Sequence, residues 1–96
     1  MDDFYTTSTA ALEEIADFFE TWPLADVDLL GGTLTVILPH NHQYVIHKHG
    51  ITHQIWVASP FTGAYHFHFK NGQWKCTRTG VGLLDLFKAE RDLHAA

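Results

Sequence analysis

The chain has 96 residues, 46% hydrophobic and 18% charged, which supports one folded domain around one core and excludes a disordered chain. No apolar run approaches the roughly 20 residues that span a bilayer, so no membrane role is expected. The formal net charge of −5 is uneven: residues 1–47 carry eight acids and no Lys or Arg, while residues 48–96 carry three acids and six bases, which argues against nucleic acid and for a cation or a basic partner.

The start, Met1-Asp2-Asp3, is acidic, whereas targeting segments are basic and acid-poor there. The chain is therefore expected to be cytoplasmic, or already trimmed of a targeting segment. Residues 3–22 predict the first helix. Phe4, Ala11, Leu12, Ile15, Phe18, Phe19 and Trp22 follow helical spacing, Asp2 or Asp3 serves as the N-terminal cap, and Pro23 stops it. Glu13, Asp17 and Glu20 fall on one stripe opposite the apolar face, with Glu14 beside it. Acids at that spacing without a basic partner repel one another, so the stripe is either a solvated face or a place kept for a cation.

Asp26-Val27-Asp28-Leu29 alternates as a first strand with both aspartates on one side. Gly31-Gly32 turns into a second strand, Thr33 to Leu38, and Pro39-His40-Asn41-His42 turns into a third, Gln43 to Lys48 or His49. Gln54 to Ser59 is the fourth strand. Its alternation sends Ile55 and Val57 to the core and Gln54, Trp56 and Ala58 to the other side, where a large aromatic points to a partner surface. Pro60 to Gly63 is a turn. Tyr65 to Lys70 is the fifth strand, with Tyr65, Phe67 and Phe69 inward, and Asn71-Gly72 is a hairpin turn into Gln73 to Thr77. Leu83 to about Leu93 forms a closing helix on Leu83, Leu86 and Phe87, with Asp85 in its first turn.

Strands joined by links this short pair antiparallel. The predicted fold is α+β, a single domain over residues 1–96. It is a two-layer α-β sandwich with an antiparallel sheet of about six strands and the N- and C-terminal helices on one face. Trp22 and Trp74 are expected in the core or clamping it. Cys76, the single cysteine, is expected to be buried and small; alone, it excludes an internal disulfide framework.

Tyr44-Val45-Ile46, Gln54-Ile55-Trp56, Ser59-Pro60, Gly63, Tyr65-His66-Phe67 and Trp74 occur in the order and spacing of the frataxin family. The chain resembles that family over nearly its whole length, with Tyr65-His66-Phe67 nearest the bacterial CyaY branch. The resemblance implies an acidic ridge that binds iron (Fe²⁺ or Fe³⁺) weakly, made here of Glu13, Glu14, Asp17, Glu20, Asp26 and Asp28. It also implies a part in iron–sulfur cluster assembly through a cysteine desulfurase and its scaffold protein. The docking surface would centre on Trp56 and Gln54, with His47, His49, His53 and His66. Exposed carboxylates are hard oxygen ligands suited to loosely held iron. The resemblance departs at Thr6-Thr7-Ser8-Thr9, where further acids are usual, at His47-Lys48-His49 in place of an Asn-basic-Gln segment, and at His68 in place of an aspartate.

Eight histidines in 96 residues form the second pattern. Alternation puts His47 with His49, and His66 with His68, on strand faces that Trp56 would share. Such i, i+2 pairs on neighbouring strands can meet at one ion, so a second metal site for Co²⁺, Zn²⁺ or Ni²⁺ is the alternative reading. His40, His42 and His94 are read as surface residues. The chain offers no phosphate-binding Gly loop, no nucleophile elbow and no Glu-x-x-His di-iron set, so a binding protein and not an enzyme is expected. A monomer is expected, with oligomers only if metal drives them.

Overall fold

Six short runs of alternating residues, five of them ended by Gly, Pro or Asn, have no way to bury their apolar sides except on a shared layer. The structure, a computed structural model, describes residues 4–94. In chain order these are helix α1 (Phe4–Glu20), β1 (Asp26–Leu30), β2 (Thr33–Leu38), a 3₁₀ turn (Pro39–Asn41), β3 (His42–His49), β4 (Gln54–Ser59), β5 (Gly63–Lys70), β6 (Gln73–Cys76) and helix α2 (Leu83–His94). The strands form one sheet in the order β1 to β6, each antiparallel to the next. The core lies between one sheet face and the two helices. The α-β sandwich expected from the alternation is therefore the fold.

Phe19 sits at the centre of the core with no exposed surface, its ring 4.9 Å from Tyr44 and 5.1 Å from Phe87. Leu12 and Ile15 continue its stripe on α1, and Leu83 and Leu86 supply the same from α2. Leu34, Val36, Ile46, Ile55, Val57 and Phe67 meet them from the sheet. Burying each such side chain contributes about 1.5–3 kcal/mol.

Element ends differ from expectation in ways local chemistry explains. The proposed caps Asp2 and Asp3 lie outside the described residues. The regular helix ends at Glu20, not Trp22, because Thr21 and Trp22 donate back to the Phe18 and Phe19 carbonyls, the tight bonds of a closing turn. Trp22 is still buried. β3 begins one residue early, at His42, and β5 two residues early, at Gly63, where φ is +101°. β6 ends at Cys76, and α2 reaches His94. Phe69, expected inward, is 38% exposed: it lies near the end of β5 and packs on Trp74 with ring centroids 5.2 Å apart.

Asn71 and Gly72 have φ of +53° and +77°, the two left-handed positions of a tight hairpin turn. Open space surrounds the Cβ position at Gly72. Gly72→Ala is therefore a test of backbone conformation alone, and should cost about 1 kcal/mol in urea unfolding.

Candidate docking face and acidic ridge

The register that buries Ile55 and Val57 lifts Trp56 onto the face of the sheet opposite the helices. There, His47 of β3 pairs with Trp56, and Trp56 pairs with His66 of β5. One pleat away, His49 pairs with Gln54, Gln54 with His68, and His68 with Lys75. Directly opposed residues in an antiparallel pair share a face. So all four histidines that alternation grouped with Trp56 lie on its side of the sheet.

Their rings are organised by the indole. His49 stacks on Trp56 at 3.7 Å between centroids and 8° between planes, and His66 stacks at 4.3 Å and 13°. His47 meets the ring edge-on at 5.8 Å. Trp56 Nε1 donates to Gln54 Oε1 at 2.8 Å, and His49 Nδ1 lies 2.7 Å from the Thr52 hydroxyl. Trp56 is thus half-buried between imidazoles instead of projecting freely. Such ring pairs contribute about 0.5–1.5 kcal/mol beyond the area they bury.

This packing differs from the shared-ion arrangement that the spacing allowed. His49 and His66 have the indole between them and do not converge. Among the described residues, no three His, Cys, Asp or Glu side chains stand where they could hold one ion. His53 stands apart from the face: it sits at φ +55° in the turn before β4 and stacks on Phe4 at 4.9 Å, which ties it to α1. His68 lines a shallow pocket with His53, Phe69 and Trp74.

The acids border this face at the β1 edge. Glu13, Glu14, Asp17 and Glu20 are exposed along α1, which lies over β1. Asp26 and Asp28 are exposed on alternate positions of β1, where Val27 between them packs on the core. Asp26 and Asp28 oppose Ile37 and Thr35 on the open side of the sheet, whereas the other four lie on the helix layer, so the six do not converge on one point. Glu13 and His47 line the same surface cavity, of about 500 Å³, with Lys48 and Gly31, so ridge and face meet there.

Two charged residues that alternation and composition left unremarked hold the scaffold. Lys48 falls on the core side of β3. Its stem runs beneath α1, and its ammonium donates to the Thr9 hydroxyl and the Tyr5 carbonyl, 3.8 Å from the centroid of the Tyr5 ring. Glu90 is only 3% exposed. Its carboxylate accepts from Tyr44 (2.5 Å) and Ser59 (2.7 Å) through Oε1 and from Thr62 through Oε2. One signal was available: Leu83, Leu86 and Phe87 set a stripe whose next position is 90. His42 and His94, expected at the surface without a role, both pack on Phe61, His94 stacked at 4.0 Å. Cys76 is buried as expected. Burial pushes its thiol up, but the Thr79 hydroxyl, the Thr79 and Arg78 backbone N–H groups and the Arg78 charge outweigh this and hold it below the ordinary value.

The frataxin-like domain family matches residues 1–95. The chain is 40% identical over 65 residues to the iron–sulfur cluster assembly protein CyaY of Photobacterium profundum, covering 68% of this chain and 61% of that one. It is 35% identical over 89 residues to the mitochondrial frataxin homolog of Saccharomyces cerevisiae, covering 93% of this chain and 51% of that protein. Against CyaY of Aliivibrio salmonicida it is 32% identical over 95 residues, covering 97% and 89%. Among solved structures, Psychromonas ingrahamii frataxin superposes with a TM-score of 0.82 at 22% identity over 95% of this chain and 88% of that one, a likeness of fold. Trimeric yeast frataxin in its ferrous complex gives 0.77 at 30% identity over 99% and 87%. No described helix is long and apolar enough to cross a membrane.

Proposed function

The chain belongs to the frataxin-like family, and on that premise we propose that it serves iron–sulfur cluster assembly as a non-enzymatic iron-binding and docking protein. The CyaY and frataxin names of its relatives support the pathway. The observation that carries the docking role is Trp56, half-buried at the centre of a sheet face that neither described helix covers. A large aromatic braced by its neighbours and open on one side is the usual anchor of a protein interface. The partners are a cysteine desulfurase and the scaffold protein on which clusters are built. Capture of that desulfurase and scaffold from solution by the immobilised chain tests this reading, and no capture of either sinks it. The proposed compartment is the bacterial cytoplasm; the mitochondrial yeast relative suggests a matrix as the alternative.

Iron is cargo in this proposal. Glu13, Glu14, Asp17, Glu20, Asp26 and Asp28 would hold it loosely, with water completing its shell. The fit rests on donor chemistry: six exposed carboxylates and no Lys or Arg in the first 47 residues. Anaerobic titration with Fe²⁺ should broaden amide signals over residues 13–20 and 26–28. The double variant Glu13→Gln/Asp17→Asn should raise the apparent Kd about fivefold, the effect of losing about 1 kcal/mol at an exposed site. Broadening centred on His66 and His68 instead would move the metal to the sheet face.

A further inference from the structure

The charge along this chain is segregated. Residues 29–84, which hold five of the six strands, contain no Asp or Glu, although the protein as a whole is acidic. The same segment holds seven of the eight histidines, three lysines and Arg78. The register decides where this falls on the open face. From β3 come His47 and His49, from β5 His66, His68 and Lys70, and from β6 Lys75. β2 and β4 bring no titratable group to that side: Thr33, Thr35 and Ile37 from one, Gln54, Trp56 and Ala58 from the other. The carboxylates nearest in the sheet are Asp26 and Asp28, on the far edge strand. Both helices lie on the other face.

We infer that the open face from β3 to β6 takes a carboxylate-rich segment of its partner around Trp56, and that proton uptake by the imidazoles sets how tightly. The inference rests on the docking reading above and names the chemistry of the surface received. Lys70 and Lys75 supply fixed positive charge. The face also carries His47, His49, His66 and His68, and imidazole is the side-chain type that changes charge near neutral pH, where carboxylates stay ionised. Among the described residues, Glu13 and Lys48 share a cavity with His47, and Asp26 and Asp28 lie on the same side of the sheet at its far edge, while no Asp or Glu opposes His49, His66 or His68 in the register. Protonated imidazoles stacked on both faces of the Trp56 indole also gain cation–π attraction, so charging the face does not dismantle its anchor. With an acidic ridge on one side and this face on the other, the molecule presents both signs of charge. A partner bearing the complementary pair docks in one orientation.

The test uses the full chain, isotope-labelled, with two tryptophan-free probe peptides, one of alternating Glu and Ala and one of alternating Gln and Ala. Chemical shifts are followed at about pH 5.5 and about pH 8 at constant salt. The Glu peptide should shift residues 47–49, 54–58 and 64–75, and should bind about tenfold more tightly at the lower pH. The Gln peptide should show neither effect. In His47→Gln/His66→Gln the pH dependence should fall by half or more. Equal binding of the two peptides, binding of the Glu peptide that is flat with pH, or shifts centred on α1 would overturn the inference, and each is read on the wild-type chain. A face that binds the Glu peptide in a protein that captures no desulfurase or scaffold leaves this inference standing and removes the proposed function. Capture that is insensitive to pH and salt, with the Glu peptide ignored, does the reverse.

Discussion

Trp56→Ala should reduce capture of the desulfurase–scaffold complex about 30-fold or more while leaving the fold intact. The size follows from the anchor role: truncating a central aromatic at an interface costs about 2 kcal/mol or more. The specificity follows from position. Trp56 lies outside the buried core, and its ring contacts are His47, His49 and His66 on the open face. Removing it leaves Phe19, Tyr44, Phe67 and Phe87 packed as before. The thermal midpoint should therefore move by only a few degrees, an effect of about 1 kcal/mol in a domain of this size. Capture is measured by surface plasmon resonance beside a circular dichroism melt. Undiminished capture by the variant would remove Trp56 from the interface, whatever the rest of the face does.

Glu90→Ala should destabilise the domain by about 3 kcal/mol or more, with a fall in Tm of about 12 °C or more. The variant removes the acceptor for three hydroxyls at once, on β3, at the end of β4 and in the turn before β5. The Tyr44 hydroxyl is buried, and leaving it unpaired costs about 1–3 kcal/mol; Ser59 is half-buried and Thr62 exposed, so theirs add less, and a cavity is added. Tyr44→Phe is the gentler probe of the same network and should cost about 1 kcal/mol. The network also fixes the sign of the alkaline response. Burial, then the bond to the Glu90 carboxylate and its charge, raises the Tyr44 phenol above its ordinary value. A raised phenol favours the neutral form in the folded state. Its contribution is complete below about pH 10 and is lost as pH climbs above that. Urea midpoints should fall above about pH 10 in the wild type and fall less in Tyr44→Phe. Parallel curves for the two proteins would place the alkaline sensitivity elsewhere.

Alternation carried much of this architecture. The bounds of β2 and β4 are those read from the residues, because each is an unbroken period-2 run between turn residues. The same parity grouped Trp56 with His47, His49, His66 and His68 on one side. Parity says nothing of ring orientation, so the stacking of His49 and His66 on opposite sides of the indole was not legible. Nor was the choice of that packing over a shared ion. Lys48 and Glu90 were missed for a related reason. Both are charged residues at positions where the pattern calls for an apolar one, and each is accommodated by hydroxyl or carbonyl groups distant in the chain. Phe69 failed in the opposite direction, an apolar residue on the inward parity at a strand end.

Every strand of this sheet pairs only with its neighbours in sequence. Closing each hairpin therefore costs little loop entropy, and the sheet can zip one turn at a time. The contacts that join distant parts of the chain come from its two helices, as where Phe19 meets Phe87 and Tyr44 meets Glu90. Cooperativity in folding is thus lodged at the chain's two ends. The middle, which bears the open face around Trp56, acquires its register locally and is locked when the first and last elements close over it.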